Sequence, residues 1–244
     1  MMKKTVLAVV TVAIFGLSGC SAVHTAVTKR NLDVQTKMSE TIFLEPTAER
    51  TVYLQLRNTS TEQSVAVEPK LRQALQNKGM VISSNPDTAQ YWIQANVLSV
   101  GKMDLRDSQN ALLSGYGAGA VGAAAAAGAV AYNSSSNGAA LGAGLVGALA
   151  GVAADAMIED TNYTMITDLQ IAEKALTGVT VTTDNVAMLK QGSSGGKVQT
   201  STEQGSRHKY QTRIVSNANQ VNLDFKDARP VLEDQLANSL AGLF

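Results

Sequence analysis

Apolar and polar positions change rhythm several times along the chain, and each rhythm predicts an element. Thr51-Val52-Tyr53-Leu54-Gln55-Leu56 alternates, placing Val52, Leu54 and Leu56 on one face of a strand. Arg57-Asn58-Thr59-Ser60 reads as a turn. Pro69 then opens and Gly79 closes a helix whose stripe is Leu71, Ala74 and Leu75. Asn85-Pro86-Asp87 is a second turn, and Tyr91 to Val100 a second strand holding the single tryptophan, Trp92. Tyr163 to Ala172 and Val179 to Thr183 read as further strands. Gln191-Gly192-Ser193-Ser194-Gly195-Gly196 has the composition of a flexible connector. Val198 to Thr202 and Lys209 to Val215 flank Gly205-Ser206 like a hairpin. Pro230 opens a C-terminal amphipathic helix with Leu232, Leu236, Leu240 and Leu243 on one side. Ser21 to Arg30 reads as a short helix or a tether. The mixture predicts a compact α+β domain.

One segment breaks the rhythm. Between Asp107 and Asp155 no residue is charged. Tyr116 to Ala131 and Ala139 to Ala154 are two arms of 16 residues, mostly Gly, Ala, Val and Leu. They are separated by the polar turn Asn133-Ser134-Ser135-Ser136-Asn137. As a helix each arm is about 24 Å long, which suits only a membrane thinner than the usual core of about 30 Å. The pairs Gly115/Gly119, Gly138/Gly142 and Gly147/Gly151 have the GxxxG spacing that lets helices approach closely in lipid. Tyr116 and Tyr132 bracket the first arm as interface residues would. The flanking charges Arg106, Asp107, Asp155, Glu159 and Asp160 all lie on the base side. The expectation is a helical hairpin inserted in the domain that spans or enters the membrane, packed against copies of itself, with Asn133 to Asn137 as its exposed tip. A flexible Gly/Ala linker and a hairpin buried in a soluble core are the blander readings. Glycine costs a helix interior about 1 kcal/mol relative to alanine, which disfavours an isolated soluble helix here.

The N-terminus adds an address. Met1-Met2-Lys3-Lys4 precedes an apolar stretch from Val6 to Leu17, too short for a stable span and of the form of a secretory signal. It ends in Leu17-Ser18-Gly19-Cys20, which looks like the lipobox of bacterial lipoprotein precursors. Small residues let the backbone enter a protease, and the thiol of Cys20 takes the diacylglyceryl group, with N-acylation following. An ordinary signal peptide with an incidental cysteine is the alternative. Ser21, rather than Asp, favours sorting to the outer membrane. Residues 1–19 are then removed, and the domain is divided into 20–110 and 156–244 around the segment 111–155.

Charge and chemistry exclude more than they suggest. Lys+Arg and Asp+Glu each number 20, and loss of Lys3 and Lys4 leaves 18 basic residues against 20 acidic. No basic run exists, so nucleic acid is not an expected partner. One cysteine forbids an internal disulfide, and only His24 and His208 could join it as metal ligands. His208, in Arg207-His208-Lys209, reads as a surface residue; Tyr91 and Trp92 read as core. Asp155, Glu159 and Asp160 read as a solvated collar. Gly117-Ala118-Gly119-Ala120-Val121-Gly122 matches a dinucleotide fingerprint in form, but no β-rich strand precedes it. No catalytic residue, cofactor or metal is expected, and the chain does not read as an enzyme.

Several stretches then resemble one family. They are Lys29-Arg30-Asn31-Leu32, Met38-Ser39-Glu40-Thr41-Ile42, Tyr91 to Leu98, Lys102-Met103-Asp104-Leu105-Arg106, Asp160 to Ile171, Val181 to Ala187, His208 to Leu223 and Val231 to Ala237. In order and over the mature chain they resemble the TraT family of plasmid-encoded lipoproteins. The resemblance implies an oligomeric outer-membrane lipoprotein, at least partly surface-exposed, that performs surface exclusion in conjugation and is associated with complement resistance. It implies outer-membrane lipid, further copies of the chain, and a donor pilus tip or outer-membrane receptor as partners. Cys20 is the one defined site that carries over. An alternative of another class is an oligomeric outer-membrane channel or secretion component built from the helical hairpins.

Overall fold

The computed structural model describes residues 29–117, 159–191 and 195–244. In chain order the elements are β1 (Asp33–Met38), β2 (Thr51–Asn58), α1 (Val67–Asn77), β3 (Val81–Ser83), β4 (Tyr91–Lys102) and α2 (Leu105–Leu113). They continue with β5 (Asp160–Lys174), β6 (Val181–Gln191), β7 (Gly195–Gly205), β8 (Arg207–Val221) and α3 (Phe225–Ala241). Six strands form one sheet in the order β1-β8-β5-β4-β2-β3, while β6 and β7 form a separate two-stranded ribbon. β2 runs parallel to β3 and β4, because the intervening α1 carries the chain back to the same end. The other pairings in the large sheet are antiparallel. A register shift between Val97 and Ser99 lets the long β4–β5 pair bend, and the sheet curls into a half-barrel.

Strand therefore dominates, and the expected α+β domain with an inserted, membrane-entering helical hairpin is overturned. No helix among the described residues is long and apolar enough to cross a membrane. The expected segment 111–155 begins inside α2, a nine-residue helix that carries Arg106, Asp107, Gln109 and Asn110. Helix α2 then stops, because Gly115 and Gly117 both take positive φ, 72° and 74°. Residues 118–155 lie outside the described residues, as do 1–28. The arms on which the channel reading rested lie almost wholly outside the described residues.

The main core fills one face of the sheet, where α1 and α3 pack together and onto Val52, Leu54, Ile93, Met165, Leu169 and Ile171. α1 buries Val67, Leu71 and Leu75, one per turn. It ends as Gly79, with φ of 80°, lets the Gly79 N–H reach Gln76 O at 2.9 Å and the Met80 N–H reach Leu75 O at 3.0 Å. α3 buries Leu232, Leu236 and Leu240. It begins at Phe225, ahead of the expected start, because Asp224 O already accepts from Asp227 and Ala228; Pro230 lies inside it. Buried Glu233 joins the helices, accepting the Ala66 N–H at 3.0 Å and facing Lys70 at 3.5 Å. On the sheet's other face a small cluster of Ala111, Ile166 and Val215 lies under α2.

Two expected connections differ. β7 pairs with β6, from Val181↔Gly205 to Gln191↔Gly195, while β8 pairs with β5 and β1. Gly205-Ser206 is thus a link from ribbon to sheet rather than a hairpin turn, and the glycine-serine connector joins β6 to β7. Alternation marks a strand without naming its neighbour.

The irregular stretch after β1 is tied down by Glu173, only 2% exposed. Its carboxylate accepts the Glu45 N–H at 3.1 Å and the Tyr210 O–H at 3.1 Å, and the Tyr91 O–H donates to Glu45 O at 3.1 Å. Burial, helped by the Glu173 charge, holds both phenols above their ordinary pKa.

A phenol whose folded pKa is raised contributes stability that is complete below its unfolded value, about 10, and is lost as pH rises through the folded value. Urea unfolding should therefore show stability that falls once pH passes about 10. Tyr210→Phe should make that fall shallower while costing about 1 kcal/mol at pH 7 for the lost hydrogen bond to Glu173; an unchanged alkaline limb would refute the assignment. In the same assay Leu236→Ala should cost about 3 kcal/mol, whereas Phe43→Ala, at a residue 82% exposed, should stay within about 0.5 kcal/mol.

Candidate functional site

Burial along β5 shows where the second sheet face opens. Thr161 to Thr167 are buried without a break, because the main core covers one side and the α2 end covers the other. Beyond Thr167 the pattern alternates: Leu169 and Ile171 stay buried while Asp168 and Gln170 are half-buried. Here strand register brings Gln55 opposite Gln94, Gln94 opposite Gln170, and Gln170 opposite Gln211. Gln211 donates to Gln170, Gln170 to Gln94 and Gln94 to Gln55, each at 2.7 Å. The ladder crosses four strands, about 14 Å at the usual strand spacing. Each inner amide still has a second N–H and a second lone pair.

Trp92 lies beside this ladder and is locked in place. Tyr53 meets it edge-on at 6.5 Å between ring centres, and the Arg207 guanidinium lies 4.3 Å from its ring centre. Arg207 also donates to the carbonyls of Pro86, Ala89 and Gln90 at 3.1, 2.7 and 3.0 Å. Its burial lowers the guanidinium pKa. The ring serves the fold rather than offering a stacking platform.

The next row holds an ion pair. Arg213, fully buried, donates from Nε to Asp168 Oδ1 at 2.7 Å and from Nη2 to Asp168 Oδ2 at 3.1 Å. A longer contact of 3.4 Å runs from Nη1 to Ala111 O in α2. Asp168 Oδ2 also accepts the Gly117 N–H at 2.9 Å. The Tyr116 phenol is raised in pKa by burial first and by the Asp168 charge second. The ion pair and the chain leaving α2 are thus one connected network.

A cavity of about 250 Å³ lies elsewhere, between Arg50, Glu45, Glu49, Met80, Tyr91 and Phe244. Arg50 spans its rim, donating to Lys78 O at 2.9 Å and Phe244 O at 3.1 Å. Among the described residues no group of three His, Cys, Asp or Glu could hold a metal ion. What the open face offers is hydrogen-bond donors and acceptors around a shielded ion pair, the equipment of a contact surface.

The expected lipid-attachment residue Cys20, the expected packing glycines Gly119, Gly138, Gly142, Gly147 and Gly151, and the expected tip Asn133, Ser134, Ser135, Ser136 and Asn137 lie outside the described residues. Gly115 is described, and it sits in the turn after α2. His208 is exposed and Tyr91 buried, as read from the sequence. Asp160 accepts from Asn219 Nδ2 at 2.7 Å and Glu159 meets Lys102 at 3.2 Å. The ladder was not anticipated, although each of its glutamines directly follows a Leu, Ile or Tyr in a strand (Leu54, Ile93, Leu169, Tyr210).

Removing one half of a buried pair strands the other charge. Arg213→Ala should cost about 3 kcal/mol in urea unfolding, and adding Asp168→Asn should recover part of that loss. Strictly additive costs would show that the two groups act independently.

Comparison with known proteins places this architecture. The profile of the family described as "Enterobacterial TraT complement resistance protein" matches residues 31–244. Over 241 residues the chain is 59% identical to a TraT complement resistance protein of Escherichia coli, covering 99% of this chain and 98% of that one. It is 58% identical over 241 residues to the TraT complement resistance protein of Escherichia coli strain K12, with the same coverage. A TraT complement resistance protein of Wigglesworthia glossinidia brevipalpis is 29% identical over 247 residues, covering 100% of this chain and 98% of its own. The chain belongs to the TraT complement resistance protein family.

Proposed function

We propose that this protein is an outer-membrane lipoprotein that makes its host cell resistant to complement and excludes donors carrying a related conjugative plasmid. Family membership carries the reading: the match runs over residues 31–244, and relatives of nearly equal length bear the name complement resistance protein. The surface-exclusion part draws on the resemblance noted in the sequence. Attachment follows from chemistry at Cys20, which carries an S-diacylglycerol and an N-acyl chain. Two or more buried acyl chains give stable anchoring where one gives only reversible binding. Ser21 favours the outer membrane. The folded sheet is then held at the membrane as a homo-oligomer, partly exposed to the outside. Its partners in exclusion are a donor pilus tip or an outer-membrane receptor, met through hydrogen-bonding surface rather than reaction chemistry.

Three isogenic strains test the reading: wild type, Cys20→Ala and a deletion. Wild-type cells should survive serum in larger numbers than the deletion strain and accept a related plasmid less often. Cys20→Ala should lose labelling by radioactive palmitate and leave the membrane fraction. Equal serum survival would remove the complement role, and equal transfer would remove exclusion. Undiminished labelling of Cys20→Ala would remove the anchor.

A further inference from the structure

The β6–β7 ribbon stands apart from the fold that carries it. It is a two-stranded sheet of its own, and no other described element packs extensively against it. With 11 residues in each strand it is about 36 Å long. Two-stranded ribbons are marginal in water by themselves, so one of this length calls for cover. Its root bears a second mark. Leu176 and Val179, in the link between β5 and β6, are 82% and 47% exposed. Phe43 is exposed at the same end of the sheet, two residues before Glu45, whose N–H is held by Glu173. Exposed apolar groups gathered around an unsupported arm are the composition of a contact.

The chain also carries a receiver. β1 is an outermost strand of the large sheet; one of its edges pairs with β8 and the other pairs with no strand among the described residues. Lys37, exposed on β1, blunts that edge against indiscriminate pairing and calls for a carboxylate in any strand that joins it. The ribbon presents Asp184, exposed and oriented by Thr202 Oγ1 at 2.7 Å. Its other charges, Glu203, Lys190 and Lys197, leave it neutral as a whole.

We propose that the ribbon of one copy adds to the β1 edge of a neighbouring copy, with Asp184 set against the neighbour's Lys37. This deepens the homo-oligomer reading above and rests on it. Strand addition gives affinity through backbone hydrogen bonds. Because arm and receiver are different surfaces, the contact is head-to-tail and closes into a ring when the rotation permits. Pairing along the six residues of β1 spans about 20 Å, and each copy gives one arm and receives one.

The test is the mass of the full-length, detergent-purified protein by light scattering over a range of concentrations. Wild type should assemble. A variant with residues 183–203 replaced by Asn-Gly should run as a monomer with an unchanged melting temperature. Lys37→Asp and Asp184→Lys should each raise the midpoint concentration of assembly about two- to fivefold, and the two together should restore it. The charge swap leaves the ribbon in place, so it decides the matter if the shortened chain melts early. Assembly of the shortened variant like wild type, or a swap that fails to restore, overturns the arm while leaving the homo-oligomer standing. A wild type that is monomeric at every concentration overturns both.

Discussion

A guanidinium with no access to water dictates much of this fold. Taking a charge out of water costs several kcal/mol, so Arg213 is tolerable only with a carboxylate and carbonyls delivered to it. Asp168 comes from the opposing position on β5, where the pairing register sets it across from Arg213. A slip of one residue would turn Arg213 into the face occupied by Ile214, Met165 and Leu169, and every other side chain of the strand would reverse with it. The same carboxylate takes the Gly117 N–H, and the guanidinium reaches the end of α2. One ion pair therefore sets the β5–β8 register, the seat of α2 and the point from which the chain departs after Gly117.

Around that pair the two sheet faces have unequal duties. The face under α1 and α3 holds the main apolar cluster, and most of the hydrophobic stabilisation lies there. Among the described residues the opposite face is covered where α2 reaches, and beyond it changes from Ile166 and Val215 to uncharged amides. A face of amides neither collapses onto a core nor repels an approaching neutral surface, which suits the contact role proposed above.

Much of the main core was legible in the sequence. The alternation of Val52, Leu54 and Leu56, the stripe of Leu71 and Leu75, and the leucines of α3 each marked an element that exists. β1 and α2 were not legible: Asp33-Val34-Gln35-Thr36-Lys37-Met38 alternates too weakly, and nine residues are too few to display a helical period. The Gly/Ala run invited a helix on composition, whereas its first described glycines, Gly115 and Gly117, make a turn. The ladder was hidden for a different reason. A lone glutamine after an apolar residue looks like an ordinary solvated position, and only the strand order brings Gln55, Gln94, Gln170 and Gln211 into one row.

That row has a property its members lack singly. Every donor in it faces the same way, from β8 toward β2. Reversing an inner amide, Gln94 or Gln170, would set N–H against N–H on one side and oxygen against oxygen on the other, so the ladder is complete only when all four face the same way. Hydrogen bonds in such chains polarise one another. The sheet face thus has two self-consistent polarities.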